Sequence, residues 1–253
     1  QMARTKTYWL YRVVRWLVWL FYPKMTTRGA ENIPEEACII VGNHCQMNGP
    51  ITCEIYPPVD RYTWCAGQMM EWKEVHGYAF QDFWSQKPRW THPFYKLLSY
   101  IITPLAVLLF NNAQTIPVYH DNRVITTFRE SVRVMTNGAS LVIFPEKDEP
   151  YNHILYAFQD RFVDVAKMYY RKSGKAVAFV PLYIAPRLHL QVFGQPIRFD
   201  PAAPIAQERE RICAVLQEEI TALAEALPRH VVVPYRNIPR KYYPFNIPEE
   251  SAS

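Results

Sequence analysis

Apolar and polar positions fall into two rhythms along this chain. Short apolar or β-branched runs at residues 37–41, 62–66, 114–118, 140–144, 177–184 and 189–193 predict strands. Between them, residues 122–137, 156–172 and 204–227 predict helices. In the last of these, Ile205, Ile212, Leu216, Ile220, Leu223 and Leu227 recur near helical spacing, with Glu and Arg between them. Gly138 and Gly174 stand where helix C-caps belong. Strands that alternate with helices predict an α/β fold whose sheet is covered on both faces.

Two apolar stretches break this rhythm. Residues 8–22 are almost wholly Trp, Leu, Val, Tyr and Phe, but 15 residues is short of the roughly 20 that span a bilayer. Arg12 and Arg15 share one helical face, Arg4, Lys6 and Lys24 flank the stretch, and Pro23 closes it. This is the pattern of an amphipathic helix lying in a membrane interface. The run from Leu97 to Phe110 contains Pro104, and a buried helix pair or a partly inserted hairpin is expected, with one face toward lipid. No stretch has 18 uninterrupted apolar residues, so no spanning helix is expected. The domain reading is a membrane-interface helix over 1–25 and one domain over 26–253. That domain ends in a proline-punctuated tail, 228–253, expected to run extended over the surface.

Composition narrows the classes of function. Hydrophobic residues make up 49% of the 253 positions, enough for a sizeable core. The net charge of +5 is too weak to argue for nucleic acid, but it suits an anionic membrane surface. The 7 Trp and 17 Tyr fit either a lipid interface or a large aromatic core. The five cysteines are odd in number and show no CxxC spacing, so neither zinc nor a disulfide framework is expected and a reducing compartment is. No signal peptide is expected either.

The candidate chemistry lies in Val41-Gly42-Asn43-His44-Cys45-Gln46-Met47-Asn48-Gly49-Pro50, directly after a predicted strand. The C-terminal edge of strands is where open α/β folds place their ligands. An imidazole there can serve as a general base near neutral pH. Cys45 is a poor nucleophile candidate, because neighbours on a strand point to opposite faces.

Three later segments repeat the strand-end pattern: Ile116-Pro117-Val118-Tyr119-His120, Val142-Ile143-Phe144-Pro145-Glu146 and Val180-Pro181-Leu182-Tyr183-Ile184. With Asn43-His44 and the lead-in Arg28-Gly29-Ala30-Glu31-Asn32-Ile33-Pro34, their order resembles the four sequence blocks of the glycerolipid acyltransferases. That family includes 1-acylglycerol-3-phosphate acyltransferase, and the resemblance runs from about residue 26 to 200. It implies a mixed, mostly parallel central sheet flanked by helices. It also implies direct acyl transfer from acyl-coenzyme A or an acyl-carrier protein, with no cofactor and no metal.

In the family's first block a His is followed, after four residues, by an Asp that orients it. Here Gly49 holds that spacing, and a one-residue deletion sets Asn48-Gly49-Pro50 against the usual Asp-Gly-Pro. His44 is then the expected base and Asn48 its orienter, through an amide oxygen that carries no charge. In a serine-protease triad the same exchange of Asp for Asn costs roughly 10⁴ in rate. The second block's Asp-Arg is replaced by Tyr119-His120, which leaves His120 and nearby Arg123 as candidates for the acceptor's phosphate. The third block, Phe-Pro-Glu-Gly-Thr-Arg in the family, reads Phe144-Pro145-Glu146-Lys147-Asp148-Glu149. Pro145, Glu146 and Lys147 are therefore expected in the acceptor site, Lys147 as a point charge, and Val180 in its wall. Backbone amides near Glu146 or Val180 are the expected oxyanion donors.

The expected acceptor is a hydroxyl, such as that of a lysophospholipid, and the expected location is the cytoplasmic face of a membrane, held peripherally. The alternative is a lipid-binding protein on the same fold that no longer catalyses, which the altered first and third blocks favour.

Overall fold

The computed structural model describes residues 7–85, 87–119 and 121–247. Helix α1 (Tyr8–Phe21) precedes β1 (Thr26–Arg28), β2 (Ile39–Gly42), α2 (Asn48–Ile55) and β3 (Arg61–Ala66). Next come α3 (Val75–Ala79), α4 (His92–Asn112), β4 (Thr115–Val118), α5 (Val124–Thr136) and β5 (Ser140–Ile143). The chain continues through β6 (Glu146–Tyr151), β7 (Tyr156–Phe158), α6 (Asp164–Ser173), β8 (Ala178–Ala185), β9 (Leu190–Phe193), β10 (Ile197–Arg198) and α7 (Ile205–Glu225). Every strand read from an apolar run is present. The chain divides into two compact units, one of residues 1–22 and 62–127 and one of residues 23–61 and 128–253.

The second unit is built on strands in the order β1-β9-β8-β2-β5, with β10 on β8. At its centre β2 runs parallel to both neighbours, Ile40 lying opposite Val142 on β5 and Val180 on β8. β9 and β10 run antiparallel to β8, which makes the sheet mixed. Every residue of β2, β5 and β8 is buried. A strand covered on both faces is an unbroken apolar run, which is why these three were legible. Helix α7 packs on β8 through Ile212, Leu216, Ile220 and Ala224, all buried on one stripe. Each large apolar side chain buried there contributes about 1.5–3 kcal/mol.

Two expectations for this unit are corrected. The helix expected over 156–172 begins only at Asp164, and residues 156–158 form β7, antiparallel to β6. Asp164 sits in the first turn of α6, where a carboxylate suits the helix dipole, and it also pairs with Arg209 at 2.7 Å. The proline-punctuated tail is not simply draped over the surface, since His230, Val232, Val233 and Asn246 are all buried. The Asn246 amide donates to the Ala224 and Leu227 carbonyls, and its oxygen accepts the His230 N–H at 2.7 Å. Val231 bridges Phe245 in antiparallel fashion, and the His230 ring bonds the Tyr183 hydroxyl on β8 at 2.8 Å. Residues 228–247 thus form a strap pinned at both ends to α7 and β8.

In the first unit β3 and β4 pair in parallel, Thr63 opposite Thr115 and Ala66 opposite Val118. Met69, Val75 and Ala106 form a small core with Ala66, Tyr78, Val107 and Phe110. The run expected as a helix pair or hairpin is one continuous helix, α4, which passes straight through Pro104. Ser99, Thr103 and Ala106 are its buried stripe, while Phe94, Leu97, Tyr100, Ile101 and Leu105 are exposed. Contrary to the expectation that no helix could span, Arg89–Asn112 holds an 18-residue window of mean hydropathy 1.6 and is, by length and composition, long and apolar enough to cross a membrane. Helix α1 packs on α4 and buries only Tyr11, leaving Trp9, Val13, Trp16, Leu17, Leu20 and Phe21 exposed.

Candidate active site

The loop that carries His44 is shaped by residues on either side of it. Just beyond β2, the Asn43 side chain takes over the strand's pairing with β8. Its oxygen accepts the Ile184 N–H at 2.7 Å and its nitrogen donates to the Ile184 carbonyl at 3.0 Å. The chain then reverses through Cys45 and Gln46, whose φ angles of 48° and 56° lie in the left-handed region that residues other than glycine seldom enter. Such conformations persist where surrounding bonds impose them, and they cluster at functional sites. Here the Asn48 N–H and side-chain Nδ2 both donate to the Cys45 carbonyl, at 3.1 and 2.9 Å. The Gly49 N–H closes on the His44 carbonyl at 3.0 Å. A Cβ on residue 49 would lie 2.5 Å from that carbonyl oxygen, so the turn requires glycine.

Glu146 fixes the same loop from the Phe-Pro-Glu segment. One carboxylate oxygen accepts the His44 backbone N–H at 2.6 Å and the other accepts the Tyr156 N–H at 2.8 Å. Burial pushes this carboxyl up to about 7, against the pull of those two N–H bonds. Glu146 therefore holds the backbone of the His loop.

The His44 ring lies edge-on between two aromatic rings, Phe144 at 5.4 Å and Tyr235 of the strap at 5.3 Å. Its Nδ1 is buried and, among the described residues, meets no hydrogen-bond partner. Removal from water lowers the imidazole to about 4, offset in part by the backbone of Gln46 and of His44 itself. The ring is thus neutral at physiological pH, and burial makes it a weaker proton acceptor than an exposed imidazole. Among the described residues no carboxylate bonds Nδ1 to stabilise the imidazolium that would form.

The other residues singled out from the sequence are distributed unevenly. Pro145 is buried beside Glu146, and its carbonyl accepts the Gln159 N–H at 2.8 Å. Lys147 is exposed on β6. Val180 is fully buried within the sheet, opposite Ile40. Arg123 belongs to the first unit, where it chelates the Asp121 carboxylate and lies over the Tyr119 ring at 3.8 Å. His120 lies outside the described residues. Cys45 is buried, its thiol is raised well above the ordinary range by burial, and its Sγ is 3.2 Å from the Ile184 carbonyl, so it is an internal packing group. Among the described residues no His, Cys, Asp and Glu cluster could hold a metal ion. A groove of 260 Å³ in the first unit, lined by Trp72, Lys73, His76, Tyr100 and Thr103, contains none of these motif residues.

Sequence reasoning passed over Asn43, Phe144 and Tyr235. Asn43 and Phe144 stand inside recognisable segments and were open to notice. Tyr235 carried no signal, since it sits in a tail that reads as loop and meets His44 only through the fold.

No protein-family model matches the chain, and no curated protein matches it in sequence. The fold is similar to that of the solved 1-acyl-sn-glycerophosphate (LPA) acyltransferase, PlsC, from Thermotoga maritima. The likeness has a TM-score of 0.50 at 15% sequence identity and covers 87% of this chain and 81% of that one, which shows a shared α/β fold.

Proposed function

We propose that the chain transfers an acyl group from a thioester to the hydroxyl of a lysophospholipid such as 1-acylglycerol-3-phosphate, with His44 as general base. The observation that carries this reading is the placement of His44. It is a neutral imidazole at the C-terminal end of the central parallel strand, its loop clamped by buried Glu146, on a fold similar to that of a lysophosphatidate acyltransferase. The acceptor oxygen attacks the thioester carbonyl carbon while its proton passes to the imidazole. The tetrahedral oxyanion then collapses, the C–S bond breaks, and the leaving thiolate takes the proton from the imidazolium. No covalent enzyme intermediate and no cofactor are required. The donor is acyl-coenzyme A or an acylated carrier protein.

Binding at the cytoplasmic face of a membrane is part of the proposal. The exposed rings of α1, with Arg12 and Arg15 on the same helix, suit the interface between headgroups and acyl chains. The exposed face of α4 adds Phe94, Leu97, Tyr100 and Ile101.

One observation favours a second reading, in which the chain binds lipid without reacting: among the described residues the buried His44 Nδ1 meets no partner to stabilise a positive ring. The two readings are separated by thiol release from long-chain acyl-coenzyme A and acyl-carrier protein across a panel of lysophospholipid, monoacylglycerol and amine acceptors. The enzyme reading expects acceptor-dependent thiol release. Silence on every acceptor, with saturable binding of the same lipids, establishes the binding reading.

A further inference from the structure

The strap is held unevenly. Its two legs are buried, at Val232, Val233 and Pro234 on one side and at Asn246 on the other. Its crest, residues 235–243, is mostly exposed and is tied to the His44 loop by Gln46, whose Nε2 donates to the Tyr243 hydroxyl at 2.7 Å and lies 3.5 Å from the Arg236 carbonyl. On the crest Arg236 faces Glu149 at 3.8 Å, a long ion pair that is open to solvent. Buried legs and a mostly exposed crest are the distribution expected of an element that opens locally while its anchors stay folded. At the crest, the ring of Tyr235 rests on His44, 5.3 Å away and inclined at 64°.

We propose that this strap is a lid over His44, with Tyr235 the residue that positions and seals the imidazole. Seated, Tyr235 holds the ring between itself and Phe144. Lifted when the acceptor lipid arrives, it opens the ring to the incoming hydroxyl. The proposal rests on His44 being the base, but its consequence for the ring is independent of catalysis. The ionisable groups around the His44 loop are Cys45 beside it, Glu146 and Glu149 from β6, Tyr156 from β7, Tyr183 from β8, and Tyr235 and Arg236 of the strap. Tyr235 and Arg236 leave with the lid, as does Tyr243, whose hydroxyl accepts from Gln46.

The test reads the histidine directly in the full chain. Carbethoxylation of His44 by diethylpyrocarbonate is followed by mass spectrometry in wild type, Tyr235→Phe, Tyr235→Ala and Gln46→Ala. Tyr235→Ala is expected to react about tenfold faster than wild type, the scale set by losing one buried aromatic pair. Tyr235→Phe keeps the ring and is expected to react at the wild-type rate, with Gln46→Ala between the two. By NMR, the titration midpoint of His44 is expected to rise toward the ordinary histidine range in Tyr235→Ala and to stay low in Tyr235→Phe. Equal rates in wild type and Tyr235→Ala overturn the lid, as does Tyr235→Phe behaving like Tyr235→Ala. His230, buried in the same unit, is the internal reference, and a matching rise there signals general loosening and also overturns it. If the lid test succeeds while wild type transfers no acyl group, the proposed reaction fails and the lid stands.

Discussion

Glu146 and His44 share a hydrogen bond yet carry opposite pH dependences. Folded Glu146 keeps its proton up to about 7, whereas the unfolded chain releases it near 4.5. Between those values the folded state binds more protons, so the contribution is fully present below pH 4.5 and lost as pH rises toward 7. At about 1.4 kcal/mol per pH unit the loss is about 3 kcal/mol. His44 runs the other way, because its folded value of about 4 lies below the unfolded 6.5. Its contribution is present above pH 6.5 and lost as pH falls toward 4, by up to about 3 kcal/mol and less for the part of the ring that meets solvent.

From pH 4.5 to 6.5 the two slopes oppose each other, and their combined contribution is nearly flat. Glu146→Gln removes one of them. Its amide cannot accept both the His44 and Tyr156 N–H groups, so it costs about 1–3 kcal/mol at every pH. On top of that loss, its stability is expected to climb by about 2–3 kcal/mol over the window as His44 acts unopposed. His44→Gln is expected to show the reverse, a stability that falls as pH rises. Urea unfolding of wild type and both variants at each end of the window, compared at constant m-value, measures this. Parallel profiles for wild type and Glu146→Gln would refute the reasoning, as would an upward slope in His44→Gln.

Three further outcomes are expected. Asn246→Ala removes three bonds to the Ala224 and Leu227 carbonyls and the His230 N–H, and is expected to lower unfolding stability by about 2–4 kcal/mol in urea titration. Asn48→Asp sets a carboxylate against the Cys45 carbonyl to which the amide now donates, and is expected to cost about 1–3 kcal/mol by the same assay. Deleting residues 1–22 is expected to move the protein from sedimented anionic liposomes to the supernatant, and unchanged sedimentation would remove α1 from the membrane contact.

What the sequence revealed follows the physics of each element. The central strands were legible because burial on both faces forces a continuous apolar run. The hairpin of β6 and β7 was not, because Lys147, Asp148 and Glu149 are exposed and charged and the two strands pair only with each other. Pro104 suggested a break, but the buried stripe of Ser99, Thr103 and Ala106 carries α4 through it. Within the site, His44 and Glu146 were visible as residues at strand ends, and Glu146, expected in the acceptor site, grips the His44 backbone. Asn48 was read as the orienter of the ring, and its side-chain amide donates to the Cys45 carbonyl. The strap was hidden because its prolines suggest loop, while its seating depends on Asn246 reaching the end of α7.

The central claim, that His44 is the base of an acyl transfer, is tested most directly by following product and free thiol together. Wild type and His44→Ala are given acyl-coenzyme A or acyl-carrier protein with 1-acylglycerol-3-phosphate, after circular dichroism confirms that both are folded. Wild type is predicted to form diacylated product and thiol in equal amounts, and His44→Ala to lose at least about 100-fold in rate. Product formation by His44→Ala at the wild-type rate contradicts the claim.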